Sequence, residues 1–447
     1  MKKKVMGSPK IFYGWWIVIA SSALSAYNGG VMFYGFTAFF TPIINEFGWS
    51  RAATSLAFSM QRLELGIAAP AVGYFIDKLG PRKMSLFGVT VFGLGFLFLS
   101  QTNSLLTFYI FLLIISVGHS SGFNAVGSTT VANWFVRKRG KAIGFLTGGV
   151  CFAGTVVPVL VWLINQYGWR RSLIIAGLGM WIIGIPLSFV FRQRPEQYGL
   201  LPDGDMPEEQ GSVQETHLHR HPQQEDSASN KDDGKVELKS ESLSNQAVVT
   251  EVAFTGRDAI RTRTFWFFCL GCSLPLMAMG GLFIHIMPFL ESVGISRERA
   301  SFVVTLIILL SVLGRTGFGW LSDYINKKYM LSIAIGLQLI GLLIFANIRT
   351  MWHVIPFLIT FSPGYGASIS LRPAIQGEYF GRKHFGTIQG FYMAVSTVST
   401  MTGAPFVGWI WDITGSYRLA FLILTVFTLA SIPFILSLSP PKHRVMI

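Results

Sequence analysis

Formal charge and cysteine are both scarce in this chain of 447 residues. Only 13% of the residues are Asp, Glu, Lys or Arg, about half the roughly 25% that is usual in soluble globular proteins. Three cysteines cannot form a disulfide framework. Hydrophobic residues make up 51%, which excludes disorder as the main state. The same value excludes a soluble nucleic-acid-binding protein, in spite of a net charge of +14.

Long apolar runs take the place of the missing charge. A bilayer core about 30 Å thick is crossed by a helix of roughly 20 apolar residues, and twelve stretches fit, from 14–40 to 417–438. The first stretch is too long for a cleavable signal peptide, and no small-residue cleavage site follows a short apolar region. The sequence therefore predicts an all-α membrane protein with twelve transmembrane helices.

The distribution of Lys and Arg predicts the orientation in the membrane. Twelve spans place the connections alternately on two sides. Connections on the side of both termini carry 17 Lys and Arg, whereas those on the other side carry 7. Because positive residues accumulate in cytoplasmic loops, we expect a multi-pass protein of the plasma or inner membrane with cytoplasmic N- and C-termini.

Residues 192–263 differ from the rest of the chain. They are polar, rich in Glu, Asp, Gln, Ser and His, and show little periodicity, which predicts a flexible cytoplasmic linker. His217, His219 and His221 alternate within it, a pattern that can bind a transition metal. Since no cysteine or structured partner accompanies them, we expect a solvated linker, with no metal and no cofactor.

The chain also repeats itself. Matches of Gly, Pro, Asp, Arg and Trp carry weight because they are uncommon by chance in an apolar sequence. After a shift of 246 or 247 residues the matched pairs include Pro42 and Pro288, Arg51 and Arg297, Gly73 and Gly319, Asp77 and Asp323, and Trp162 and Trp409. We expect two six-helix halves in the same orientation, 1–191 and 264–447, with the linker between them. Such halves rock around a central site, which predicts a secondary transporter that works by alternating access.

A motif follows the second span. It reads Gly73-Tyr-Phe-Ile-Asp77-Lys-Leu-Gly80-Pro-Arg82-Lys, and a degenerate copy with Asp323 follows the eighth span. This resembles G-x-x-x-D-(R/K)-x-G-R-(R/K), the signature of the major facilitator superfamily. The resemblance implies the fold of that family and a latch, formed by these residues, that closes the cytoplasmic side. A simple charged turn is the alternative.

Further segments narrow the resemblance to one branch. They are Tyr13-Gly14-Trp15-Trp16, Glu46-Phe47-Gly48-Trp49-Ser50-Arg51, Trp134-Phe135 and Arg315. In this order along the chain they resemble the oxalate:formate antiporter and monocarboxylate transporters, over nearly everything except the linker. The resemblance implies a small carboxylate as the substrate and Arg315 as the residue that anchors it.

Four charged side chains are expected deep in the membrane: Arg62, Glu64, Arg315 and Arg372. A charge at mid-depth costs at least roughly 2.5–3.5 kcal/mol on insertion scales. At 1.5 Å per helical residue, Arg315 and Arg372 lie about 12 Å from the cytoplasmic edge and Arg62 about 22 Å. A guanidinium matches a carboxylate in bidentate fashion, so we predict that Arg315 binds the substrate. Arg62 and Arg372 are candidate second contacts, which would suit a dicarboxylate; structural ion pairs or backbone capping are the alternatives.

Uncharged polar side chains are further candidates for the central path. By resemblance, helices one, four, seven and ten line it, and these carry Asn28, Asn124 and Tyr365 among their polar residues. Intramembrane histidines also occur on two of these helices, His119 on the fourth and His285 on the seventh. Packing through a hydrogen bond is the alternative for each histidine.

The mode of coupling stays open in the sequence. Proton-coupled animal members of the family carry an Asp where Ser311 stands and a Lys in the first helix, and the oxalate exchanger carries a Lys in helix eleven; this chain has neither Lys. Proton symport would have to use Glu64, His119 or His285. Exchange of one carboxylate for another needs no titratable group.

Our interpretation is a transporter of small organic anions such as lactate- or pyruvate-type acids, whose partners are the carboxylate, the lipid bilayer and, for symport, protons. Efflux of amphiphilic drugs is the main alternative; it is favoured by 38 Phe and opposed by the intramembrane arginines. An enzyme is not expected, since no metalloprotease motif, Walker motif or paired-carboxylate cluster is present. A non-transporting sensor is a further alternative, but the sequence shows no folded signalling domain that would support it.

Overall fold

The structure is a computed structural model that describes residues 12–135, 138–204, 254–322, 324–381 and 385–441. Within these ranges every regular element is helical and there is no strand. The α-helices are, in chain order, α1 Tyr13–Asn28, α2 Thr37–Phe47, α3 Arg51–Leu79, α4 Pro81–Leu99, α5 Leu105–Gly122, α6 Asn124–Trp134, α7 Arg139–Gly149, α8 Val156–Ser188, α9 Gly256–Ile260, α10 Arg263–Ser292, α11 Arg297–Leu321, α12 Lys327–Ala346, α13 Val354–Phe380, α14 Phe385–Thr414 and α15 Arg418–Leu436.

These helices form twelve membrane spans. Nine helical segments of the described residues are long and apolar enough to cross a bilayer. One of them, Lys141–Ser188, is divided into two spans by a turn at Gly168. Gly168 has a φ of 78°, which glycine adopts without strain. Two more helices, α3 and α14, are 29 and 30 residues long, which is enough to cross a bilayer, and they pack against each other along the seam of the molecule. The predicted all-α fold with twelve transmembrane helices is confirmed.

Contacts between helix ends define two sides of the molecule. On one side, the Tyr13 hydroxyl donates to the carbonyl of Val190 at 3.0 Å, and Thr264 donates to the carbonyl of Ser439 at 3.0 Å. The segment that follows α8 begins here, so we call this the linker side. On the other side, Arg170 donates to the Ser100 carbonyl at 2.7 Å. We call it the opposite side.

The helices that begin on the opposite side are capped in a way that follows the internal repeat. Ser50 accepts from the backbone N–H of Ala53 at 3.1 Å, and Ser296 accepts from that of Arg299 at 3.5 Å. A serine that caps a helix start satisfies an amide with no partner inside the helix. Both α3 and α11 therefore start at a defined residue, which sets how deep Arg62 and Arg315 lie.

Hydrogen bonds join the first half of the chain, 12–204, to the second, 254–441. Within the described residues these bonds run from mid-membrane to the opposite side. Thr305 donates to the Gly154 carbonyl at 2.7 Å, and Thr37 donates to the Ile284 carbonyl at 2.9 Å. Towards the linker side, Asp77 is exposed, and a Cβ built on Gly73 meets no described atom within 4 Å. Among the described residues, the two halves are thus closed on the opposite side and apart on the linker side.

Candidate functional site

A cavity of about 370 Å³ lies between the two halves. Its wall combines charged, hydroxyl and aromatic side chains from both halves with a few apolar ones. The residues that line it are Ser25, Asn28, Gly29, Met32, Phe33, Tyr34, Gln61, Arg62, Leu65, His119, Val150, Arg315, Tyr365 and Ile369. Five of the predicted site residues therefore meet in one place: Arg62, Arg315, Asn28, His119 and Tyr365.

An interruption of the first span shapes one wall of the cavity. Between α1 and α2 the chain forms a π-helical turn, Gly29–Phe33, and such turns are frequent at functional sites. Gly30 packs against α8 so closely that a Cβ there would lie 2.6 Å from Val156 Cβ. The close approach places Phe33 and Tyr34, which follow Gly30, in the cavity wall.

Two arginines face the cavity, one from each half. Arg62 on α3 places its guanidinium 4.6 Å from the centre of the Phe33 ring, a cation–π contact. Arg315 on α11 lies with Nη1 3.7 Å from the Cys151 sulfur, and its buried Nε has no hydrogen-bond partner within the described residues. No carboxylate of the described residues forms a salt bridge with either guanidinium. The cavity is therefore strongly positive.

A pair of tyrosines joins the halves next to these arginines. The hydroxyls of Tyr34 and Tyr365 lie 3.3 Å apart. Tyr34 interacts electrostatically with Arg315, and Arg62 interacts with both tyrosines. Tyr34 and Gln61 line the cavity as well but were not among the predicted site residues. Tyr34 does carry a signal, because it is a hydroxyl-bearing residue soon after the intramembrane pair Gly29-Gly30.

Asn28 and His119 form the polar part of the first half's wall. The Asn28 amide and His119 Nδ1 are 2.8 Å apart, which links α1 to α5. Asn28 is buried and His119 is partly exposed. A neutral imidazole and an amide each combine a donor with an acceptor, so this pair can rearrange to meet a polar group that enters the cavity.

The other predicted site residues lie elsewhere. Arg372 donates from Nε to the Ser368 carbonyl at 2.8 Å and from Nη1 to the Tyr392 hydroxyl at 3.4 Å, outside the cavity wall. Its sequence neighbour Glu378 pairs with Lys327 at 2.7 Å. Arg372 therefore caps a backbone carbonyl, which is one of the two alternatives to substrate binding expected for it.

Glu64 also lies outside the cavity wall. One of its oxygens accepts from Ser120 at 3.0 Å, and the other is buried with no hydrogen-bond partner within the described residues. His285 is buried near the opposite side, where Nε2 is 3.0 Å from the Ala404 carbonyl. The side chain of Asn124 is outside the described part of the chain.

Asp77 and Arg82 of the predicted latch do not bind each other in the described structure. Gly80 ends α3 with φ of 83°, a conformation suited to glycine, and α4 begins directly after it. Arg82 stacks on Phe189 at 4.5 Å rather than binding the exposed Asp77. Asp323 lies outside the described residues.

The opposite side is closed by side chains from both halves. The carboxylate of Asp412 on α14 accepts from the backbone N–H groups of Arg51 and Ala52, each at 3.0 Å, at the start of α3. An anion at a helix N-terminus meets unpaired N–H groups and the positive end of the helix dipole. Asn165 on α8 donates to Glu298 at the start of α11. The internal repeat relates these two contacts, since a shift of 246 or 247 residues carries one onto the other.

A family model describes most of the chain. The model of the Major Facilitator Superfamily matches residues 15–371 and 269–445. The chain belongs to the Major Facilitator Superfamily.

Curated members of the Major Facilitator Superfamily show which branch this chain is similar to. The "Oxalate:formate antiporter" of Oxalobacter formigenes is 24% identical over 394 residues, which is 87% of this chain and 83% of that protein. "Monocarboxylate transporter 12" of Mus musculus is 25% identical and covers 92% of this chain and 82% of its own length. The resemblance drawn from the motifs is thereby confirmed.

A solved structure shows the same fold. It is a bacterial homolog of the human lysosomal transporter Spinster, solved in an inward-facing and unoccupied conformation. Its TM-score is 0.69 at 16% identity, with 96% of this chain and 97% of the other covered. This likeness shows the fold, while the family model and the apolar helices identify a multi-pass membrane transporter.

Proposed function

We propose that this protein is a secondary transporter of small organic anions that binds a carboxylate between Arg62 and Arg315. One observation carries the proposal: two guanidiniums from different halves face a single cavity in which the described residues offer them no carboxylate. Charges at this depth are costly in a bilayer, and an anionic ligand would supply the missing partner. The likeness to carboxylate transporters supports the same class of substrate.

The size of the cavity favours a small substrate. About 370 Å³ is at the lower end of the range for small-molecule sites, roughly 300–1,000 Å³. Monocarboxylates of the lactate or pyruvate type fit this space, and a short dicarboxylate would engage both arginines. The tyrosine hydroxyls and the Asn28–His119 pair supply further hydrogen bonds for hydroxy or keto groups. An amphiphilic drug would leave both guanidiniums without a partner, which argues against the efflux alternative.

Alternating access follows from the arrangement of the halves. The observed state is open towards the linker side, where an anion can reach the arginines. Rocking the halves would break the contacts at Asp412 and close the linker side around Asp77 and its motif. The bias of Lys and Arg supports placing the linker side in the cytoplasm. Coupling is either carboxylate exchange or proton symport, and His119 is the titratable residue of the three candidates that lines the cavity.

Transport by purified protein in liposomes tests this function. We expect saturable uptake of a labelled carboxylate into liposomes loaded with unlabelled carboxylate, measured across a panel of mono- and dicarboxylates. Arg315→Gln and Arg62→Gln should each reduce the apparent affinity about 10- to 150-fold, because hydrogen bonds to charged groups contribute roughly 1.5–3 kcal/mol. Repeating the uptake with an inward proton gradient separates symport from exchange.

Arg171→Gln is the matched control, since Arg171 is an exposed arginine on the opposite side. This variant should transport like the wild type. Absence of saturable carboxylate uptake, or uptake that is unchanged by both cavity substitutions, would contradict the proposed function.

A further inference from the structure

His285 occupies a buried junction between the halves on the opposite side. Its Nε2 lies 3.0 Å from the Ala404 carbonyl and 3.0 Å from the hydroxyl of Ser55, which belongs to the other half. Its Nδ1 lies 3.2 Å from the Tyr417 hydroxyl, and that hydroxyl also accepts a hydrogen bond from Arg51 of the other half. We call Arg51, Ser55, His285, Asp412 and Tyr417 the opposite-side gate.

The partners of His285 suit a neutral imidazole. A backbone carbonyl only accepts, so Nε2 must carry the hydrogen that it donates to Ala404. An arginine only donates, so the Tyr417 oxygen accepts from Arg51 and keeps its own hydrogen available for His285 Nδ1, which accepts it when the imidazole is neutral. Nδ1 is then an acceptor without a proton. The closed gate holds a neutral imidazole with one tautomer.

Three of the elements packed around this imidazole carry charged groups near it, and a fourth carries none. Arg51 on α3 contributes the nearest cation, and its guanidinium lies 4.1 Å from the centre of the Trp411 ring. Asp412 on α14 is held by the amides at the start of α3. On α10 itself, Glu291 is paired with Arg297 at 3.0 Å. From α2 the uncharged ring of Phe40 packs 5.0 Å away, centre to centre.

We propose that His285 is a proton sensor that opens the gate on the opposite side when Nδ1 takes up a proton. The proposal rests on the alternating-access function proposed above. A proton on Nδ1 sets an N–H donor against the Tyr417 O–H, and it adds a second positive charge beside Arg51. Separating the halves relieves both effects, because Arg51 and Ser55 leave with the first half while Tyr417 and Ala404 stay with His285.

Protons can reach this site from the opposite side. A depression of about 220 Å³ on that face is lined by Tyr417, together with Trp411, Arg349 and Arg418. The Tyr417 hydroxyl is the immediate neighbour of Nδ1 and can pass a proton inward. Acid on the opposite side should therefore favour the conformation that is open to that side. This site is separate from the substrate cavity, whose lining does not include His285.

A distance measurement across the gate tests the sensor without any substrate. Gln166 and Arg299 are exposed on the opposite side, one in each half, and are replaced by spin-labelled cysteines after Cys151, Cys269 and Cys272 are changed to alanine. We expect the distance between the labels in liposomes to lengthen, or a longer population to grow, as pH falls from 7.5 to 5.5. With His285→Gln, which keeps a neutral donor and acceptor, the distance should not depend on pH.

Two further variants complete the experiment. His353→Gln changes an exposed histidine on the opposite side and should retain the pH response of the wild type. Tyr417→Phe removes the hydrogen bond that stabilises the unprotonated Nδ1, so the midpoint of the response should move to higher pH. This second variant decides the matter if His285→Gln does not fold.

The outcomes are distinct from those of the transport assay. A label distance that ignores pH in the wild type, or one that responds equally in His285→Gln, would overturn the sensor. Absence of carboxylate uptake with an intact pH response would instead overturn the proposed substrate and leave the sensor supported.

Discussion

The three membrane arginines have different surroundings although they have the same side chain. Arg62 and Arg315 face the cavity, whereas Arg372 donates to Ser368 and Tyr392 within its own half. A guanidinium has five donors and no acceptor. Where protein oxygens accept hydrogen bonds from the guanidinium, as at Arg372, the residue holds helices together. Where they do not, as at Arg62 and Arg315, an external anion can bind.

Replacing Arg372 should therefore affect stability more than binding. Arg372→Gln loses charge-assisted hydrogen bonds that contribute about 1.5–3 kcal/mol, so we expect a melting temperature several degrees lower in detergent. The Michaelis constant for carboxylate uptake should stay within about twofold of the wild type, because a residue outside the cavity does not contact the bound substrate. Thermal unfolding and uptake kinetics on the same preparation check both parts. A large rise in the Michaelis constant at unchanged stability would place Arg372 in the substrate path.

The sequence could predict the depth of these arginines but not their direction. Arg315 and Arg372 were expected at the same depth because depth follows from distance along a helix to a charged edge. Arg372 donates to Ser368 on its own helix, but Cys151 beside Arg315 and Tyr392 beside Arg372 belong to other elements. Spacing within one helix carries no information about such neighbours. Tyr34 was missed for a related reason, since a π-helical turn changes which face it occupies.

The first span contributes more residues to the cavity wall than any other span. Its π-helical turn, Gly29–Phe33, lies where Gly30 contacts α8. The twelve spans were predictable because length and apolar composition are properties of single helices. The turn and the break between α5 and α6 at Phe123 were not, because neither changes the length or the apolar composition of its span.

Enlarging Gly30 tests the role of this contact. A Cβ in Gly30→Ala would lie 2.6 Å from the Ala153 carbonyl oxygen and from Val156 Cβ, so α1 must move away from α8 and carry Tyr34 with it. We expect a fall in carboxylate uptake of at least tenfold with the protein still inserted. Gly336→Ala on α12 is the control, since its Cβ would meet no described atom within 4 Å and alanine is the better helix former. Equal uptake by the two variants would contradict this role.

At the scale of the whole molecule, the repeat predicts how the halves separate. Two symmetry-related contacts close the opposite side, Asp412 with the start of α3 and Asn165 with Glu298. The seam beside Asp412 is tight, because a Cβ on Gly408 would lie 2.7 Å from the backbone of Arg51 and Ala52. The internal repeat was visible in the sequence. That these equivalent positions close one side together required the packing of the two halves.

Removing one of these contacts should shift the balance between the two conformations. Asp412→Ala leaves the first N–H groups of α3 without their anion, and an anion at a helix N-terminus contributes about 0.3–2 kcal/mol. The population open to the opposite side should therefore rise up to roughly thirtyfold. The label pair at positions 166 and 299 measures this at pH 7.5, where His285 is neutral. Glu196→Ala, which removes an exposed carboxylate on the linker side, should leave the distances unchanged. If Asp412→Ala also leaves them unchanged, the contact at α3 does not hold the gate, and the closed state depends on His285, Tyr417 and the apolar seam instead.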